Sequence, residues 1–344
     1  MAQKHIEYPT SYNDNYTEQD QVHVRKIIDF MNASKSRTGR WLARAVDVSD
    51  AYISSLLNGA HPVEAGKLIY KILPVIEDSQ RDNAPGEFVE TSIFHMVRHA
   101  CRMAKDSGMF SIVSGAPGVG KTKALKRFKE LYPNSLYLCG SEVINSTAII
   151  DMLLDELNVK ATGKLRKSMK VDRIVDQLAD TQRLIILDEA DKCQVDTPDP
   201  LRTISDRTGC GVVLAGNIGL RDAVASGAGR YDLIESRVVF WPKPLLHVSL
   251  EDVSQLLRPY LRDDQIAESE SFEEIARYAA QVVDGSARKL VRSLVPNIQM
   301  LIQQKEAKSD YKGIDRRMIA FIAKNFMGIN HPPAIPHRTA AVPV

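Results

Sequence analysis

The sequence predicts an α/β protein: a parallel five-stranded sheet wound by helices on both faces, a small all-α domain before it and a helical bundle after it. Three observations carry this. The apolar run Phe110, Ile112, Val113 leads into Gly115-Ala116-Pro117-Gly118-Val119-Gly120-Lys121-Thr122, and a helical pattern follows at Ala124, Leu125, Phe128 and Leu131. A second run, Leu184-Ile185-Ile186-Leu187, ends in Asp188-Glu189 and reads as a central buried strand. Five short apolar segments of this kind, at 110–114, 135–139, 184–188, 211–217 and 238–241, alternate mostly with helical stretches.

The chain has 344 residues, enough for two or three domains. Its net charge is only +2, so any contact with nucleic acid must come from local patches. Cys101, Cys139, Cys193 and Cys210 are scattered without a C-x-x-C, which argues for reduced thiols and against a disulfide or zinc framework. No signal peptide or membrane-length apolar run is visible, so a cytoplasmic protein without a membrane partner is expected.

Residues 1–16 are polar and tyrosine-rich and read as a mobile tail. Residues 17–77 read as an all-α domain. Val22, Val24, Ile27, Ile28 and Met31 mark the apolar face of its first helix. Residues 41–59 resemble the helix-turn-helix of lambda-repressor-like domains. Leu42, Ala43, Val46, Val48 and Ile53 would form the core, Ser49 would cap the second helix of the motif, and Ser54 would face a DNA groove. The usual turn glycine is replaced by Asp47. The plain alternative is a helical module for protein contacts. A further helix over 63–76 completes the domain, and the polar stretch 78–87, with Pro85-Gly86, reads as a linker.

The α/β core is placed at 88–246. Its glycine loop has the spacing G-x-x-x-x-G-K-T. Glycines let backbone N–H groups approach phosphate oxygens, and the following helix directs its N-terminus at the anion. Gly115, Ala116, Pro117, Gly118, Val119, Gly120, Lys121, Thr122 and Lys123 are therefore the candidate ATP cradle. Lys121 would reach the outer phosphates and Thr122 would offer its hydroxyl to Mg²⁺. Asp188, at a strand's carboxyl end, would hold the same Mg²⁺, and Glu189 would polarise the water that attacks the γ-phosphate. Asn217 ends the strand at 211–217, where it would orient that water. Lys160, Lys164, Arg166, Lys167 and Lys170 form the densest cationic run. It would grip DNA phosphates, the plain alternative being a solvated loop. Residues 247–327 are read as a helical lid that opens with Ser249-Leu250-Glu251-Asp252, a capping-type start. The proline-bearing tail 328–344 reads as disordered.

In order, these pieces are the phosphate loop, Leu187-Asp188-Glu189-Ala190-Asp191, Ala215-Gly216-Asn217, Ser236-Arg237 before a strand, and Gly285-Ser286-Ala287-Arg288 in the bundle. The set resembles the AAA+ ATPases. The resemblance implies a sensor 1 role for Asn217, a trans-acting arginine finger at Arg237 with Arg230 as the other candidate, and a sensor 2 role for Arg288. Within AAA+, the chain from the helix-turn-helix to the lid is similar to the transposition regulators of the phage Mu transposition protein B and TnsC type. Phe88-Val89-Glu90-Thr91, ahead of the first core helix, adds to that likeness. It implies an ATPase that assembles as a helical or ring oligomer on double-stranded target DNA and presents that DNA to a cognate transposase of the DDE type. Two other expectations share the motifs: a helicase-loader or origin-recognition type ATPase, and an ATP-switched, sequence-specific transcriptional regulator.

Overall fold

Capping residues punctuate the chain at the helix starts. In the computed structural model, residues 6–32, 38–46, 48–82, 88–159, 165–194, 196–227, 231–305 and 312–335 are described. They fall into two units, 1–88 and 89–344.

Among the described residues the first unit has four helices: α1 (Glu18–Asn32), α2 (Gly39–Ala45), α3 (Asp50–Leu57) and α4 (Ala65–Asp82). Thr38 caps α2 and Ser49 caps α3, each side-chain oxygen accepting a first-turn N–H. Val24, Ile27, Ile28, Met31, Leu42, Ala43, Val46 and Ile53 are buried in one core, with Val48 packed against it. Asp47 lies outside the described residues.

Two boundaries differ from expectation. Residues 6–16 are not a free tail. Tyr16 is buried, and its hydroxyl donates to the Leu56 carbonyl at 3.2 Å while accepting the His61 N–H at 3.1 Å. The Asn15 amide donates to the His61 and Val63 carbonyls, and Asn32 exchanges two hydrogen bonds with the backbone of Ile6. The polar groups that give this stretch a solvated composition, the Tyr16 hydroxyl and the Asn15 amide among them, are what fasten it. Helix α4 also continues to Asp82, through the first half of the expected linker.

The second unit carries the sheet. In order it runs α5 (Ser92–Ser107), β1 (Phe110–Ser114), α6 (Lys121–Leu131), β2 (Leu136–Cys139), α7 (Ser146–Glu156), α8 (Lys167–Leu178), β3 (Leu184–Asp188), α9 (Pro198–Thr208), β4 (Gly211–Gly216), α10 (Ile218–Ala225), α11 (Asp232–Glu235) and β5 (Val238–Phe240). The strands lie in the order β2-β3-β4-β1-β5 and every pairing is parallel. Alternate residues of the central strands serve opposite faces. Ile112, Leu138, Ile185, Leu187 and Leu214 join a core with α7 to α11, and α5 and α6 cover the other face. That two-sided burial explains the unbroken apolar runs of β3 and β4.

The lid comprises α12 (Leu250–Leu257), α13 (Phe272–Val283), α14 (Ala287–Lys289), a π-helical turn at Leu290–Leu294 that leads into α15 (Val295–Lys305), and α16 (Arg316–Phe326). Ser249 with Asp252, and Ser271 with Glu274, form capping boxes. The part of the C-terminal tail that is described, 328–335, is tied down rather than free: the Ile329 N–H donates to the Ala323 carbonyl, and the Tyr278 hydroxyl donates to that of Pro333 at 2.8 Å. Among the described residues no helix is long and apolar enough to cross a membrane.

Candidate active site

The parallel sheet brings three carboxyl ends together. β1 ends in the phosphate loop, β3 in Asp188, and β4 in Gly216 with Asn217. The Gly115 N–H donates to the Gly216 carbonyl at 3.2 Å and the Gly140 N–H to that of Asp188 at 2.7 Å, which fixes the loops relative to one another.

Within the loop, Gly118 (φ +86°) and Gly120 (φ +110°) occupy the left-handed region that favours glycine. Gly120 is the N-cap of α6 and offers no side-chain acceptor, so the first-turn N–H groups of α6 face outward at the positive end of its dipole. This cradle fits a polyphosphate. The Lys121 ammonium folds back over the loop and donates to the carbonyls of Gly115 (2.8 Å) and Ala116 (3.0 Å). Burial pushes its pKa down. Asp188, Asp191 and Glu189 act to raise it, and Arg288 acts with burial. Lys121 is thus in electrostatic reach of three acids and the lid arginine.

Asp188 is almost fully buried. Its Oδ1 accepts the Glu189 N–H and its Oδ2 the Tyr137 hydroxyl, each at 2.9 Å. Thr122, half-buried in the first turn of α6, supplies a second hard oxygen. A hydroxyl and a carboxylate beside a phosphate cradle suit Mg²⁺, which keeps waters and takes few protein ligands. Glu189 has φ +54°, a left-handed conformation that costs a non-glycine residue about 1–2 kcal/mol. Its carboxylate pairs with Lys192 at 2.6 Å and is partly exposed. Asn217 is exposed at the end of β4. Its side chain caps α10 by accepting the Leu220 N–H at 3.2 Å, and its backbone N–H donates to Asp191 Oδ1 at 3.0 Å.

The lid reaches the loop directly. The Arg288 N–H donates to the Gly118 carbonyl at 2.9 Å, and a Cβ on Gly118 would stand 2.7 Å from Ser286 Oγ. Arg237 is not brought to this site. It sits at the amino-terminal end of β5, and its carbonyl accepts the N–H of Phe110, the first residue of β1. The length of β1, roughly 15 Å at ~3.3 Å per residue, separates it from the loop of its own chain. Its guanidinium makes a two-point pair with Asp206 (2.8 and 3.1 Å) and also donates to the Leu233 carbonyl at 2.6 Å. Arg230 lies outside the described residues.

The cationic run is only partly available. Lys160 and Lys164 lie outside the described residues. The run does not end as a loop: Arg166 is the N-cap of α8, whose first residue is Lys167. Arg166 is exposed, but Lys167 donates to Ser146 Oγ at 2.7 Å and Lys170 pairs with Asp151 at 2.6 Å. In the first unit Ser54 is exposed on α3, a helix without a single cation. Tyr137 and Asp206 contribute to the site or its surroundings through pairings that no local pattern announces.

A family profile described as "AAA domain" matches residues 104–224. The Mu-like prophage FluMu DNA transposition protein B of Haemophilus influenzae is 28% identical over 182 residues, 51% of this chain and 63% of that protein. The ATP-dependent target DNA activator B of Escherichia phage Mu is 30% identical over 136 residues, 39% of this chain and 43% of the phage protein. The matches thus span less than two thirds of these relatives. Among solved structures, the Aeropyrum pernix ORC2 protein in its ADP form aligns with a TM-score of 0.47 and 13% identity, over 71% of this chain and 70% of that one.

Proposed function

We infer that this chain, an AAA-type P-loop protein similar to the transposition proteins B of Mu and Mu-like phages, is an ATP-dependent DNA-binding regulator of transposition. The observation that carries the reading is the arrangement around Lys121. A phosphate cradle, two acids at the end of β3 and a lid arginine converge there. The relatives' printed descriptions, a DNA transposition protein and a target DNA activator, supply the biological context.

Bound ATP with Mg²⁺ would supply a phosphoanhydride whose hydrolysis changes the oligomer's grip on DNA. The loop N–H groups and Lys121 would bind the phosphates, and Thr122 and Asp188 would hold the metal. Glu189, released from Lys192, takes a proton from the attacking water, which the Asn217 amide orients. Arg288 joins the phosphates from the lid. Arg237 acts on the neighbouring subunit's site, where a cation offsets charge developing on the transferred phosphoryl group. The oligomer covers target DNA with little sequence preference and delivers it to a DDE transposase.

The test is a footprint with and without ATP on unrelated DNA sequences, followed by a strand-transfer assay with a transposase of the DDE type. Concentration-dependent coverage of any sequence, with stimulated strand transfer, is expected. Protection of one palindromic site would point instead to the transcriptional regulator. Sequence-tolerant coverage without any effect on strand transfer would favour the loader type.

A further inference from the structure

β2 lies beside β3 in parallel register, with Tyr137 opposite Ile186 and Cys139 opposite Asp188. Residues paired in this way share a face of the sheet. Tyr137 and Asp188 are therefore on the same side, the side over which α6 runs from the phosphate loop. The phenol needs to reach only diagonally, two residues along, to meet the carboxylate. It does so at 2.9 Å, on Oδ2.

That contact is what a plain packing role would lack. A phenylalanine would fill the same space. Tyr137 is half-buried and its phenol still carries a hydroxyl to be satisfied, while the buried Asp188 carboxylate requires donors. Here each answers the other. Asp188 Oδ1 is already held by the Glu189 N–H, so the two oxygens are fixed from two directions: the chain's own turn and the neighbouring strand. A carboxylate has about four lone-pair sites, so two donors leave room for a metal ion or its water. A tyrosine hydroxyl is protonated at neutral pH and the carboxylate only accepts, so the phenol is the donor in this contact.

We propose that Tyr137 is a positioning residue for the divalent metal, its hydroxyl fixing the Asp188 carboxylate in the orientation that receives Mg²⁺. This rests on the reading of Asp188 as the metal-binding carboxylate. Tyr137 acts through Asp188 and touches neither nucleotide nor metal. Hydrogen-bond partners behind a metal-binding group typically carry a ten- to hundredfold effect on metal affinity, about as much as can be expected here.

The experiment measures equilibrium binding of a fluorescent, non-hydrolysable ATP analogue to the full chain, first in EDTA and then across a Mg²⁺ titration. It compares the native protein, Tyr137→Phe, Asp188→Asn and the double variant. Tyr137→Phe removes one oxygen and keeps the ring, and the EDTA arm reports that the phosphate loop is intact. The Mg²⁺ midpoint of Tyr137→Phe should rise by about tenfold or more, with EDTA binding unchanged. In the Asp188→Asn background the same change should add nothing, because its route is gone. An unchanged midpoint in Tyr137→Phe while Asp188→Asn shifts would overturn the inference and leave the reading of Asp188 standing. An additive double variant would also overturn it, since Tyr137 would then act independently of the carboxylate. An unchanged midpoint in Asp188→Asn would overturn the reading of Asp188 and the inference with it.

Discussion

The backbone N–H of Arg288 donates to the carbonyl of Gly118 at 2.9 Å, so the lid is fastened to the phosphate loop itself. Any movement of the loop that accompanies phosphate binding is therefore felt by the lid arginine, and the reverse holds.

The fastening depends on the missing side chain at Gly118. Its φ of +86° and the 2.7 Å approach of Ser286 Oγ to a hypothetical Cβ both oppose substitution. Gly118→Ala should cost about 1–2 kcal/mol in backbone strain alone and should displace the 286–288 turn. Hydrogen exchange at the Arg288 amide is the measurement. Protection equal to that of the native chain would mean the contact is not held by the glycine.

Glu189 is separated in role from Asp188 by its position beyond the strand end and its pairing with Lys192. Glu189→Gln should keep ATP binding and nearly stop hydrolysis, because the amide cannot accept the water's proton while Asp188 is untouched. The variant should then stay on DNA longer in ATP. Loss of ATP binding in equilibrium titration would make Glu189 structural. Lys121→Ala provides the contrast, with ATP binding itself expected to fail.

Arg237 lies about a strand's length from its own loop, so the hydrolytic role proposed for it falls on another subunit's site. Arg237→Ala should preserve the fold and depress hydrolysis and assembly together. Mixing it with Glu189→Gln subunits should restore turnover, since the interface with an intact Glu189 on one side and an intact Arg237 on the other is whole. Failure of that mixture to hydrolyse ATP would remove the shared site. The Asp206 pair is partly exposed and adds little to stability, so its contribution is to the guanidinium's direction.

Asp252 joins the lid to the core. It is buried, accepts the Ser92 N–H (2.7 Å) and hydroxyl (2.6 Å) at the start of α5, and closes the capping box on Ser249. Burial acts to raise its pKa, but the donors of Ser92 and Ser249 outweigh it and the carboxyl lies below its ordinary value. A depressed folded value means the stabilisation is whole above the unfolded carboxyl's pKa of about 3.9 and is lost as pH falls through the folded value. Asp252→Ala should therefore lower stability by about 2–3 kcal/mol at neutral pH, and the difference from the native chain should shrink in acid below about pH 4. Melting curves from pH 7 to pH 3 test this. A difference that stays constant with pH would show that the charge is not what joins lid and core.

The phosphate loop, the β3 acids and the buried strands are legible because each is a local pattern: a fixed spacing, or an apolar run with a polar end. Asn217 was legible as a strand-end polar group, though not as the cap of α10. What stayed hidden are pairings between distant positions. Tyr137 with Asp188, Arg237 with Asp206 and Lys170 with Asp151 join residues on different elements, and periodicity reports only which face turns inward. The same reason explains the N-terminal stretch, where Tyr16 reads as polar composition until Leu56 and His61 are beside it.

DNA contact is the remaining step, and the structure divides the cationic run. Lys170 has its charge committed to Asp151 and only a fifth of its side chain exposed, so Lys170→Ala should change DNA affinity little. Arg166 is exposed at the start of α8, with Lys167 beside it donating to the Ser146 hydroxyl, which in turn donates to Asp196. These two, with Lys164, are the groups proposed to meet phosphates. Such contacts carry little sequence information, so neutralising Lys164, Arg166 and Lys167 together should weaken binding alike on unrelated sequences. The slope of log affinity against log salt should flatten by up to about 0.9 per lost contact. Filter binding across a salt series, in ATP, measures both. If affinity and slope are unaltered, the run is a solvated surface and the grip moves to the first unit. That fallback is disfavoured by α3, which presents Asp50 and no cation. Deletion of residues 1–88 decides it, because ATP-dependent DNA binding should survive the deletion if the ATPase unit holds the backbone.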